Sequence, residues 1–214
     1  MSHGPLFFLG GNMRKTIRLT ALLLLCLALL GCVSCKKEEG AGDAEKPDVL
    51  ALNIEDYVRL GEYKGMTLTC AEGKTRAQTA WEAVARNAEV LSYPSGLVEY
   101  YIAHTQARYR YYAEKNGMEY EDVLRDFGLD ENGIEEESKA LAMEDLIFAA
   151  VVRAGGISLT EDEKRAHFER YAEHYVSEYG YTAEYVRENL AEEIYGSMLY
   201  DKTSEYLIIN NTFN

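Results

Sequence analysis

Gly155-Gly156-Ile157-Ser158-Leu159-Thr160-Glu161-Asp162-Glu163 reads as one helix ending and another beginning. Paired glycines accept the left-handed backbone that closes a helix. Thr160 with Glu163 three residues on is a capping box: each side chain can satisfy a backbone N–H that the first helical turn leaves unpaired. Apolar residues recur at three- and four-residue spacing on both sides, which is helical and not strand periodicity. The chain is therefore expected to be all-α from residue 74 onward.

Working outward, five or six helices can be placed. The first spans about 75–88, with Trp81, Val84 and Ala85 on one face. Pro94 suits the first turn of the second, with Ser92 as cap; it carries Leu97, Tyr101, Ala103, His104, Ala107, Tyr111 and Tyr112 and ends at Asn116-Gly117. A short third helix covers 120–127 and stops at Gly128. The fourth covers about 134–154, with Leu141, Leu146, Ile147, Ala150 and Val151. The fifth opens at Thr160 and closes at Gly180; Thr182 caps a sixth that passes Ile194, Leu199 and Tyr206. Upstream, 54–73 is a short transition in which Thr67, Leu68 and Thr69 have strand character. Residues 32–53, rich in Lys, Glu, Gly, Ala and Asp, read as a flexible tether.

Residues 1–31 read as a signal region. Arg14, Lys15 and Arg18 precede a short apolar run over 19–30, shorter than the roughly 20 residues that span a bilayer. The run closes on Leu29-Leu30-Gly31-Cys32, which resembles a bacterial lipobox. The resemblance implies that Cys32 is lipidated and becomes the N-terminus, which places the remainder outside the cytoplasm on a membrane face. Cys35 is the rival lipid site, and Cys26 falls within the segment removed. Met13 is read as the translational start, since residues 1–12 put Phe7, Phe8 and Leu9 ahead of the basic stretch.

The net charge is −14, and because 1–31 contribute only the three basic residues named, the rest carries 19 basic and 36 acidic side chains, a net of −17. Such a chain repels phosphate backbones, so nucleic acid is not an expected partner. Cys70 is the only cysteine beyond Cys35, which leaves no disulfide framework and no zinc spacing. His167 and His174 share a helix face with Glu163 and Arg170, but the arginine between them disfavours a cation. No nucleophile elbow or phosphate loop appears. Glu135, Glu136 and Glu137 read as a solvated acidic helix start. Asn210-Asn211-Thr212 matches a glycosylation acceptor by pattern, which carries little weight in a chain with a lipobox. No catalytic site, cofactor or metal is expected.

Trp81, Val84, Asn87, Val90, Tyr93-Pro94, Leu97-Val98-Glu99, Gly117-Met118, Tyr120, the amphipathic helix 139–153, Gly156-Ile157, 159–163 and Gly180-Tyr181 form one pattern over residues 79–209. With it, this stretch resembles the C-terminal, substrate-cradling domain of trigger factor. Residues 57–65 resemble the segment leading into the family's prolyl isomerase region; that domain would sit between this block and the helical one, and only about ten residues, 67–76, separate them here. The resemblance implies a chaperone scaffold with paired helical arms, of a kind shared with SurA-like chaperones, lacking the isomerase. It implies a membrane-tethered protein that binds unfolded or newly exported polypeptides. A module docking one cell-envelope partner is the alternative, and isomerase activity by family association a further one, against which the missing domain argues.

Tyrosine is the expected contact residue: there are 17 Tyr against 6 Phe and 1 Trp, and a tyrosine offers apolar area with a solvated hydroxyl. Tyr100, Tyr101, Tyr109, Tyr111 and Tyr112 cover too wide an arc of one helix to face a single core. Tyr109 and Tyr112, at three-residue spacing, are the foremost candidates for polypeptide binding, with Tyr101 on a second face beside His104 and Arg108. Acidic neighbours would draw basic segments of such clients.

Overall fold

The computed structural model describes residues 45–214. Its helices are α1 (Arg76–Asn87), α2 (Leu97–Asn116), α3 (Tyr120–Phe127), α4 (Glu131–Gly155), α5 (Glu161–Tyr179), α6 (Ala183–Asn189) and α7 (Ala191–Ile209). Two-residue strands β1 (Val58–Arg59), β2 (Thr67–Leu68), β3 (Glu89–Val90) and β4 (Thr212–Phe213) complete it. The architecture is all-α with a short strand segment.

Local chemistry sets most boundaries. Thr160 and Glu163 form the reciprocal capping box at α5, and Thr75 with Gln78 forms a second one at α1. Thr182 accepts from the Tyr185 amide to start α6. Gly117, Gly128, Gly156 and Gly180 end their helices with φ of 63°, 68°, 59° and 70°, a region costly for residues with a Cβ.

Three boundaries differ from the sequence reading. α2 starts at Leu97, after Gly96, so Pro94 precedes the helix and Ser92 is not its cap. The backbone amides of Leu91 and Ser92 donate instead to the Tyr57 carbonyl, continuing the β1–β3 pairing. α4 starts a turn early, where the Asp130 side chain accepts from the Gly133 amide. The sixth helix divides at Leu190, which leaves helical geometry (φ −117°, ψ 15°) while its side chain stays buried in the core of α5, α6 and α7.

The helices form two groups on a shared base. α2 and α4 pair through Tyr101–Asp145, Thr105–Ser138 and Arg108–Glu137, an order that makes them antiparallel. α3 closes their far end, where Val123 packs with Tyr109, Ala113 and Ile134. α5, α6 and α7 pack around Ala172, Tyr175, Val186, Ile194 and Met198. The base joins α1, α4 and α7: Trp81 donates to the Ser204 hydroxyl at 2.8 Å, stacks on Tyr200 with centroids 5.5 Å apart, and lies 6.2 Å from Phe148.

β2 pairs in parallel with β4, and Asn211 secures the junction. Its amide donates to the carbonyls of Tyr63 and Leu207 and its oxygen accepts from the Met66 amide. The Asn210 side-chain amide is committed to the Tyr206 carbonyl. Gly61 is required by contact: a Cβ there would meet the Asn87 carbonyl oxygen at 2.2 Å. Residues 45–53, read as tether, lie against the helices: Val49 is buried with Ile54, Val58, Leu97 and Leu146, and Lys46 pairs with Asp145. Among the described residues no helix is long and apolar enough to cross a membrane. The lipobox and Cys32 lie outside the described residues.

Candidate polypeptide-binding surface

The α2–α4 hairpin distributes its tyrosines by environment. Midway along it, Glu137 is buried and accepts from the Arg108 guanidinium and, at 3.0 Å, from the Tyr109 hydroxyl. This corrects its reading as part of a solvated run: the earlier start of α4 places it in the second turn, facing α2. Burial works against the charge of Arg108, but the carboxylate beside it holds its pKa above the ordinary value. Burial, then Glu137, pushes the Tyr109 phenol up to about 12.

Tyr109 is therefore not a surface contact. The residue is 8% exposed and packs with Ala113, Val123 and Ile134. Positions three apart on a helix differ by about 60° in direction. That rotation separates Tyr109, which enters the seam between α2 and α4, from Tyr112, which stays 44% exposed at the rim. Tyr112 meets Phe127 edge to face at 5.6 Å, and Phe127, 54% exposed, also packs tilted against Tyr109 with centroids 5.5 Å apart. The hairpin end thus presents two aromatic rings on a buried, hydrogen-bonded support. Phe127 was not among the sequence candidates; its signal was an aromatic directly before the Gly128 helix stop. Tyr111 is also exposed, with Lys115 over its ring.

Tyr101 lies nearer the base. Its hydroxyl donates to Asp145 at 2.5 Å, and Lys46 sits over its ring while bonding the same carboxylate at 2.7 Å. Burial and then Asp145 push this phenol well up. His104 stacks beside Tyr100, and its buried Nδ1 has no hydrogen-bond partner among the described residues. Burial, followed by Arg108 and Lys46, lowers its pKa below 6.5. The unfolded chain then takes up this proton before the folded one does. Stability is complete above 6.5 and is lost as pH falls from there through the lowered folded value. Melting curves between about pH 7 and about pH 5 should show a smaller acid-induced fall in Tm for His104→Phe than for wild type. Equal slopes would remove His104 from the account.

Among the described residues no group of three or more His, Cys, Asp or Glu side chains gathers as a metal site. Glu163 is held down to about 2 by hydrogen bonds from Lys202 and Thr160, as a structural group. The family model described as the bacterial trigger factor protein C-terminus matches residues 72–209, a span that runs from the turn before α1 to the end of α7. The chain belongs to this family. No curated protein and no solved structure matches it significantly. The trigger factor C-terminal domain is of a chaperone type and not a catalytic one, and at that level the protein is chaperone-like. Seven residues, 69–75, connect β2 to α1 where the resemblance would place the isomerase.

Proposed function

We propose that this trigger factor C-terminal domain is carried by a membrane-tethered, extracytoplasmic lipoprotein that holds unfolded or newly exported polypeptides without catalysis. The exposed Tyr112–Phe127 pair at the hairpin end is the observation that supports it. Two rings on a rigid support offer apolar area at little cost in side-chain entropy, which suits weak contact with many extended segments. The tether follows from the apolar run 19–30 and Cys32, and two acyl chains there would make anchoring stable.

The test combines both parts. Tyr112→Ser with Phe127→Ser should weaken suppression of client aggregation severalfold, since an exposed aromatic contact is worth about 1 kcal/mol or more. Thermal stability should fall by only a few degrees, roughly the loss of the Tyr112–Phe127 pair and of the Phe127 contact with Tyr109. Full suppression by the double variant would refute the surface. In cells, Cys32→Ala should leave the membrane fraction; a variant that stays there would refute the anchor.

A further inference from the structure

We propose that Tyr101 and Asp145 form a receiving site for a lysine side chain, filled here by the protein's own Lys46, so that the segment entering the domain acts as a removable cover. This deepens the polypeptide-binding reading and rests on it. The chemistry is that of an ammonium site. Asp145 Oδ2 accepts from Lys46 Nζ at 2.7 Å and from the Tyr101 hydroxyl at 2.5 Å. The same Nζ stands 5.5 Å from the centroid of the Tyr101 ring. One carboxylate oxygen and one ring face suit the compact charge of lysine better than the planar fork of arginine.

The surroundings are negative. Glu144 acts on Tyr101, and Glu193, from α7, acts on Tyr100 beside it. Of the other cations near by, Arg108 is spent on Glu137, and His104 is held toward its neutral form. A single ammonium is what this corner accommodates, and Lys46 supplies it.

The occupant is also loosely held. Lys46 keeps 40% of its side-chain exposure, and Glu45 and Lys46 are exposed residues. The segment's firm attachment lies downstream, at buried Val49. Lifting residues 45 and 46 takes Lys46 off the Asp145 carboxylate and the Tyr101 ring while Val49 stays in its core. A part-exposed ion pair with one cation–π contact favours the covered state by a factor of a few, not of thousands. A client lysine can therefore compete for the site.

The test titrates a labelled, unstructured peptide bearing one lysine, and its glutamine counterpart, against wild type, Lys46→Gln, Lys64→Gln and Asp145→Asn. Covering reduces apparent affinity by the fraction of open sites, so Lys46→Gln should bind the lysine peptide about three- to tenfold more tightly than wild type. It should bind the glutamine peptide unchanged. Lys64→Gln, which makes the same charge change elsewhere, should not reproduce the gain, and Asp145→Asn should lose the preference for lysine. Equal binding of the lysine peptide by wild type and Lys46→Gln, or an equal gain with Lys64→Gln, overturns the site. If both proteins still suppress client aggregation in that case, only this site falls. If neither suppresses aggregation, the proposed function falls and takes this inference with it.

Discussion

Glu137→Ala is expected to destabilise the domain by about 3 kcal/mol, the lower end for breaking a buried ion pair. Glu137 is 8% exposed and holds two donors at once, the Arg108 guanidinium and the Tyr109 hydroxyl. Its removal strands a cation between two helices. The Arg108 side chain keeps 19% exposure, which lets water recover part of the loss and argues for the lower end. Urea unfolding should show a lower midpoint with an unchanged slope. Glu137→Leu combined with Arg108→Met should recover most of the stability, because apolar replacement of a whole buried pair is often neutral. A loss under about 1 kcal/mol for Glu137→Ala would mean that Arg108 turns out to solvent freely.

Tyr109→Ala should cost about 3 kcal/mol or more, as expected for truncating a buried aromatic ring. Tyr109→Phe should cost only about 1 kcal/mol, the net worth of its hydrogen bond to Glu137. Tyr112→Ala, three residues on, should cost about 1 kcal/mol or less and act mainly on client binding. Because Tyr109 and Glu137 share a bond, losses from Tyr109→Ala and Glu137→Ala should fall short of additive. A Tyr109→Ala protein that melts like wild type but releases its clients would return this ring to the surface.

The all-α class was legible because its signals are local. Thr160 with Glu163, Gly117, Gly128, Gly156 and Gly180 each act within one turn, through hydrogen bonds or backbone conformations that neighbouring residues alone decide. The start of α2 is not encoded locally, because Pro94 is equally at home in the turn before a helix, and the Tyr57 carbonyl, far away in sequence, claims the amides that follow Val90. The division at Leu190 carries no Gly or Pro. Its signal is the apolar side chain held in the core of α5 to α7, which the periodicity of one helix does not reveal.

The candidate surface was legible only in outline. Too many tyrosines for one core announced that some must be exposed, and Tyr112 is. Which of Tyr109 and Tyr112 is buried depends on where α3 and α4 lie, and a rotation of about 60° separates core from rim. Glu137 shows the same limit: within a run of three glutamates, only packing against α2 tells the buried one from its solvated neighbours. Lys46 reads as tether by composition, and its seat on Tyr101 and Asp145 joins it to residues 55 and 99 positions away in the chain.

By itself, then, the sequence determined the helical class and most helix ends, since caps, glycine stops and 3.6-residue periodicity are short-range physics; the start of α2 and the division at Leu190 were not among them. The tertiary structure alone decided which charges and rings are withdrawn from water, that β2 meets β4, and that Lys46 covers Tyr101. Burial and long-range pairing depend on surfaces that distant segments provide, and no local pattern encodes those.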